Sequence, residues 1–70
     1  MAGEVKSAEK ATQVAATFLK QYYYFLRPIS AKREDSTWIV RVDVGALKPE
    51  IAEIKIDALT SDIKAYSIPD

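Results

Sequence analysis

"TWIVRVDV", residues 37–44, alternates without a break: Trp38, Val40, Val42 and Val44 point one way, Thr37, Ile39, Arg41 and Asp43 the other. Successive side chains of an extended chain face opposite sides, so a period of two predicts a strand with one apolar and one mostly polar face. The tryptophan and three valines need an apolar layer against them, and the rest of the chain shows what supplies it.

Downstream, "IAEIKIDA" (51–58) repeats the pattern, with Ala52, Ile54, Ile56 and Ala58 inward and Glu53, Lys55 and Asp57 outward. Between the two runs, Gly45 to Pro49 reads as a loop in which Gly45 is free to take a positive φ. A turn over Leu59 to Asp62 leads to "IKAYSI" (63–68), where Ile63, Ala65 and Ser67 alternate with Lys64, Tyr66 and Ile68. Upstream, "ISAKR" (29–33) is a shorter, weaker strand closed by the polar turn Glu34-Asp35-Ser36. Spacings this short favour an antiparallel meander over parallel crossovers.

The covering layer comes from the first third. Ser7 is suited to cap a helix and Glu9 stands in the first turn, where a negative charge complements the helix dipole. From there to about Leu26 the chain steps as a helix, and Pro28 opposes continuation. Ala8, Ala11, Ala15, Phe18, Leu19, Tyr22, Phe25 and Leu26 form one broad apolar face, with Lys10, Gln13, Thr17 and Lys20 opposite. On that wheel the tyrosines of "QYYYFLRP" (21–28) cannot face one partner together. Phe18, Tyr22 and Phe25 are expected in the core, Tyr23 half-buried with its hydroxyl in water, and Tyr24 outside. The expected fold is α+β: a single domain, residues 1–70, with one long amino-terminal helix (about 8–26) across three or four antiparallel strands (about 29–33, 37–44, 51–58 and 63–68).

Composition narrows the function. The 70 residues contain neither cysteine nor histidine, so disulfides, thiolate chemistry and the commonest general base and metal ligand are absent. Ten basic and ten acidic side chains cancel, whereas a nucleic-acid binder of this size usually carries a basic excess. No stretch is apolar for long enough to span a membrane, and "MAGEVKSAEKA" lacks the apolar core of a secretory signal, so a cytoplasmic location is expected.

The helix "AEKATQVAATFLKQ", the strand "WIVRVDV" and the segment "EIKIDALTSDIKAY" together resemble a PepSY domain, of the cystatin-like kind, over about residues 8–66. In that family the final hairpin reads as an aspartate, a small residue and Thr-Gly before the last strand. Asp57, Ala58, Thr60 and the strand from Ile63 match in order, while Ser61 stands where the glycine is usual. If the backbone there is left-handed, serine costs on the order of 1 kcal/mol relative to glycine. The resemblance implies a non-catalytic module that binds or restrains peptidases and other proteins, and it carries over no catalytic residues. The family's members are mostly exported or membrane-attached, and this chain shows no export signal.

Acid–base catalysis would fall to Asp43, Glu53 and Asp57 on the outward sheet face. Arg41 and Lys55 interleave with them, a pattern that describes cross-strand ion pairs better than a catalytic dyad, so no enzyme is expected. The same acids lack the spacing of a calcium loop, and no metal or cofactor is expected. A nucleic-acid site would draw on Arg27, Lys32, Arg33 and Tyr24, yet Lys32-Arg33 also suits a charged edge strand guarded against aggregation. A protein or peptide partner requires least: an open sheet face, a free edge and a few apolar side chains. The candidate partner surface is Tyr24, Ile39, Ile51, Tyr66 and Ile68. Two of these depend on the register of the last strand, because Tyr66 and Ile68 leave the open face if they turn toward the helix. Rival readings are a homodimer whose sheets join and a small nucleic-acid binder.

Overall fold

A computed structural model of the chain describes residues 4–67. One helix, α1 (Ala8–Leu19), precedes four strands: β1 (Arg27–Glu34), β2 (Thr37–Asp43), β3 (Ile51–Asp57) and β4 (Ile63–Ser67). The strands form one antiparallel sheet in the order β1-β2-β3-β4, a plain meander, and α1 packs over β1, β2 and β3. This is the α+β architecture expected from the two periodicities.

Ser7 caps α1 as its sequence predicts: its backbone is extended and its hydroxyl accepts a hydrogen bond from the Lys10 N–H at 3.1 Å. The other end differs from expectation. The helix stops at Leu19, about two turns before Leu26. Tyr22 and Tyr23 donate their N–H groups to the Leu19 carbonyl, closing a terminal turn. Residues 20–26 instead carry the chain back to the start of β1. Tyr22, expected in the core, is therefore 62% exposed, while Phe18, Tyr23, Phe25 and Leu26 are half-buried.

β1 begins at Arg27, two residues before the expected start, and takes Pro28 into its first turn of pleat. Proline is tolerated there because β1 is an edge strand, and an irregularity between Pro28 and Ser30 sets Ile29 apart from the ladder. The β1–β2 turn is two residues, Asp35-Ser36, with Asp35 at φ 58°.

The two alternations define the core. Trp38, Val40, Val42 and Val44 from the β2 side and Ala52, Ile54, Ile56 and Ala58 from the β3 side are buried against Ala11, Ala15 and Leu19 of the helix. Small side chains on both surfaces let the helix approach the sheet closely. Val5 joins this core, fully buried, although no local pattern marks it. Its N–H bonds the Ala58 carbonyl at 2.7 Å, and its own carbonyl accepts the Trp38 indole N–H at 2.8 Å. The segment before the helix is thus tied to the end of β3 and to the largest side chain of the core.

Candidate interaction surface

The sheet face opposite the helix is charged and largely self-paired. Arg41 lies across from Glu53 and binds it at 3.1 Å, a solvent-facing pair worth a few tenths of a kcal/mol. Asp57 turns an oxygen to the Leu59 N–H at 2.8 Å. Ile39 is half-buried on this face, with Lys32 and Lys55 as its cross-strand neighbours. Ile51 is 42% exposed and faces Asp43, on the far side of the Arg41–Glu53 pair from Ile39.

Asp43 is not an outward carboxylate in practice. Its side chain is only 3% exposed, and one oxygen accepts the N–H groups of Gly45 (2.9 Å) and Glu50 (3.1 Å). The other accepts from the Arg27 guanidinium at 2.9 Å. The two backbone N–H bonds, aided by Arg27, hold its pKa below the ordinary value of 3.8. Asp43 therefore ties the β2–β3 loop and the start of β1 together. Gly45 serves the same loop through space rather than through the expected positive φ, for a Cβ there would meet the Lys48 carbonyl oxygen at 1.8 Å. Each of the three acids considered for catalysis is thus engaged in local structure. Among the described residues no three His, Cys, Asp or Glu side chains gather as a metal site.

The last strand resolves the register left open by its sequence. Ile63 pairs with Ile56 and Ala65 with Lys55, so one extra residue, Lys64, is accommodated by a bulge. The bulge shifts the alternation. Ile63 lies over buried Ile56 and, three residues on, Tyr66 lies over buried Ile54, both on the helix side. Ala65 and Ser67 take the open side with Lys64, whose ammonium donates to the Thr37 hydroxyl at 2.9 Å. The simple alternation, which groups Ile63 with Ala65 and Ser67, is corrected accordingly.

Since α1 covers only three strands, Tyr66 meets the helix at its margin. Its ring lies 5.0 Å from that of Phe18, which in turn meets Tyr22 edge-on at 5.7 Å. Tyr66 remains 53% exposed, so the three rings form an aromatic step beside the free edge of β4. Tyr24, 95% exposed, lies apart from them in an open groove of about 350 Å³ with Tyr23, Val44 and the fully exposed Leu47. Ile68 lies outside the described residues. The five candidate residues therefore do not form one surface: Ile39 and Ile51 share the open face without touching a common patch, Tyr66 belongs to the helix side, and Tyr24 to the connection after α1. Phe18 and Tyr22 are the contributors that sequence reasoning assigned to the core. Only the early helix stop and the bulge bring them to a surface with Tyr66.

The two sheet edges also differ. β1 carries Pro28, the irregularity at Ile29, and the charged pair Lys32-Arg33, all devices that discourage strand pairing. Beyond its bulge, β4 offers Ala65-Tyr66-Ser67, three uncharged residues with small side chains on either side of the ring.

These features define the chain as a small α+β protein with one guarded and one open sheet edge. No family model, curated protein or solved structure matches it. No helix among the described residues is long and apolar enough to cross a membrane.

Proposed function

We propose that this chain is a non-enzymatic interaction module, resembling PepSY domains, that binds a protein or peptide by accepting an added strand at β4. In this mode backbone hydrogen bonds supply affinity and alternate side chains supply selectivity. The observation that carries the reading is the contrast between the edges: β1 is blocked by proline, irregularity and charge, while Ala65-Tyr66-Ser67 is uncharged and flanked by the Phe18–Tyr22–Tyr66 rings. An incoming strand would set one side chain on those rings and its neighbours beside Ala65 and Ser67. The local engagement of Asp43, Glu53 and Asp57 supports a role without catalysis. The PepSY resemblance makes a peptidase the first class of partner to try.

The test is amide mapping by NMR, using extended peptides selected from a random library and, separately, peptidases. Strand addition predicts shifts and slowed exchange centred on residues 63–67, with ring-current changes at Phe18 and Tyr22. Perturbations centred on β1, or spread over the Arg41–Glu53 face, would contradict it. Shifts at Arg27, Lys32, Arg33 and Tyr24 on adding an oligonucleotide, weakening with salt, would favour the nucleic-acid reading instead.

A further inference from the structure

We propose that the strand β4 accepts is β4 of a second copy, paired antiparallel about a two-fold axis at Tyr66. This inference rests on the strand-addition reading and adds the partner's identity. The register carries it. With Tyr66 opposite its own counterpart, Ala65 falls opposite Ser67 of the second copy, and Ser67 opposite its Ala65. Within one chain Lys55 is the cross-strand neighbour of Ala65, and Glu53 that of Ser67. The joined sheet therefore contains, twice, the row Lys55, Ala65, Ser67 of the second copy, Glu53 of the second copy. Lysine and glutamate end that row on one face, separated by two small side chains. Three strand spacings, about 14 Å between Cα atoms, separate them, and leaning toward each other over these short side chains brings the two charges within the screening length of about 8–10 Å.

The charges fit the same geometry. Among the described residues Lys55 and Lys64 form no ion pair, while the other cations on the open face, Arg27, Lys32 and Arg41, each have an acid within 4 Å. The Glu53 carboxylate keeps lone pairs beyond those used by Arg41, and its charge attracts Lys55 of the second copy across the row. On the helix side the central row becomes Ile54, Tyr66, Tyr66 and Ile54, and a two-fold axis perpendicular to the sheet brings both Phe18–Tyr22 pairs to that row. Rings that are 53% and 62% exposed in the single chain gain cover in the pair. An isologous contact of this kind uses one patch twice and closes at two copies. The chain's formal charge of zero opposes no such approach. The contact is short, so a dissociation constant on the order of 10–100 μM is expected.

Sedimentation analysis at roughly 1 μM and roughly 1 mM brackets that range. The inference predicts monomer at the lower concentration and dimer at the higher. Lys55→Glu and Glu53→Lys, each alone, set like charges at the ends of both rows and are expected to weaken the dimer tenfold or more. Mixed one to one, the two variants restore opposite charges in both rows and should associate at least as well as wild type, which a merely structural role of either residue would not produce. Ala65→Lys guards the edge and should leave a monomer, while Ser30→Lys on β1 should leave the dimer intact. A monomer at 1 mM, a mixture no more associated than its components, or dissociation by Ser30→Lys with Ala65→Lys inert would each overturn the inference. If the wild type is monomeric and a selected peptide still shifts residues 63–67, strand addition stands and self-pairing falls. If neither a second copy nor any peptide reaches β4, both fall together.

Discussion

Trp38 is the largest side chain of the core. Its side chain is 7% exposed, and its indole N–H donates to the Val5 carbonyl at 2.8 Å, joining the segment before the helix to the sheet. A chain of 70 residues has a total stability of about 3.5–10 kcal/mol. Truncating a buried tryptophan to alanine costs about 3–5 kcal/mol, so Trp38→Ala is expected to be largely unfolded or close to it. Trp38→Phe is the sharper probe. It keeps one ring in the core but leaves the Val5 carbonyl buried without its donor, a loss of about 1–3 kcal/mol. The missing second ring adds roughly 1 kcal/mol in lost apolar burial. At 4–8 °C per kcal/mol for a domain of this size, the melting temperature should fall by about 10 °C or more. Val5→Ala keeps the carbonyl and deletes two methyl groups, for about 1.6 kcal/mol. Urea and thermal melts followed by far-UV circular dichroism suit all three variants, since the two Trp38 substitutions lose the indole fluorescence. A Trp38→Phe protein that melts within about 2 °C of wild type would refute the bond to Val5 and the docking of the amino-terminal segment with it.

Three further outcomes follow from the loops. Asp43 has a folded pKa below its unfolded value near 3.8, so its stabilisation is fully present above that value and is lost as pH falls through the folded pKa. Asp43→Asn should flatten the acid limb of a plot of melting temperature against pH, and an unchanged slope below pH 4 would count against the loop tie. Gly45→Ala drives a Cβ into the Lys48 carbonyl and should cost about 1–3 kcal/mol in a thermal melt, because backbone must move to admit it. Ser61 sits at φ 66°, the left-handed backbone where serine costs more than glycine, so Ser61→Gly should raise the melting temperature by up to about 4–8 °C.

Much of the fold could be read along the chain because its signals are local. The alternations at 37–44 and 51–58 place the buried and exposed side chains of β2 and β3, and Ser7 with the alanines behind it marks the start and inner face of α1. Other features had no local trace. Val5 is an isolated valine among polar residues, and only the carbonyl of Ala58 and the indole of Trp38, both remote in sequence, make it core. Asp43 alternates like any outward residue until the returning loop and Arg27 enclose it.

The candidate surface lies mostly on this second side. Sequence periodicity by itself determined that a helix and a set of strands would bury their apolar faces together, since each pattern is a property of neighbouring residues. Where α1 ends was decided by the return of the chain to β1, which Tyr22 and Tyr23 begin by closing a turn on the Leu19 carbonyl. Which way Tyr66 faces was decided by a single extra residue in the β3–β4 ladder, because shifting a strand's pairing by one position moves every later side chain to the other face. Phe18, Tyr22 and Tyr66 meet only after both of those choices are made.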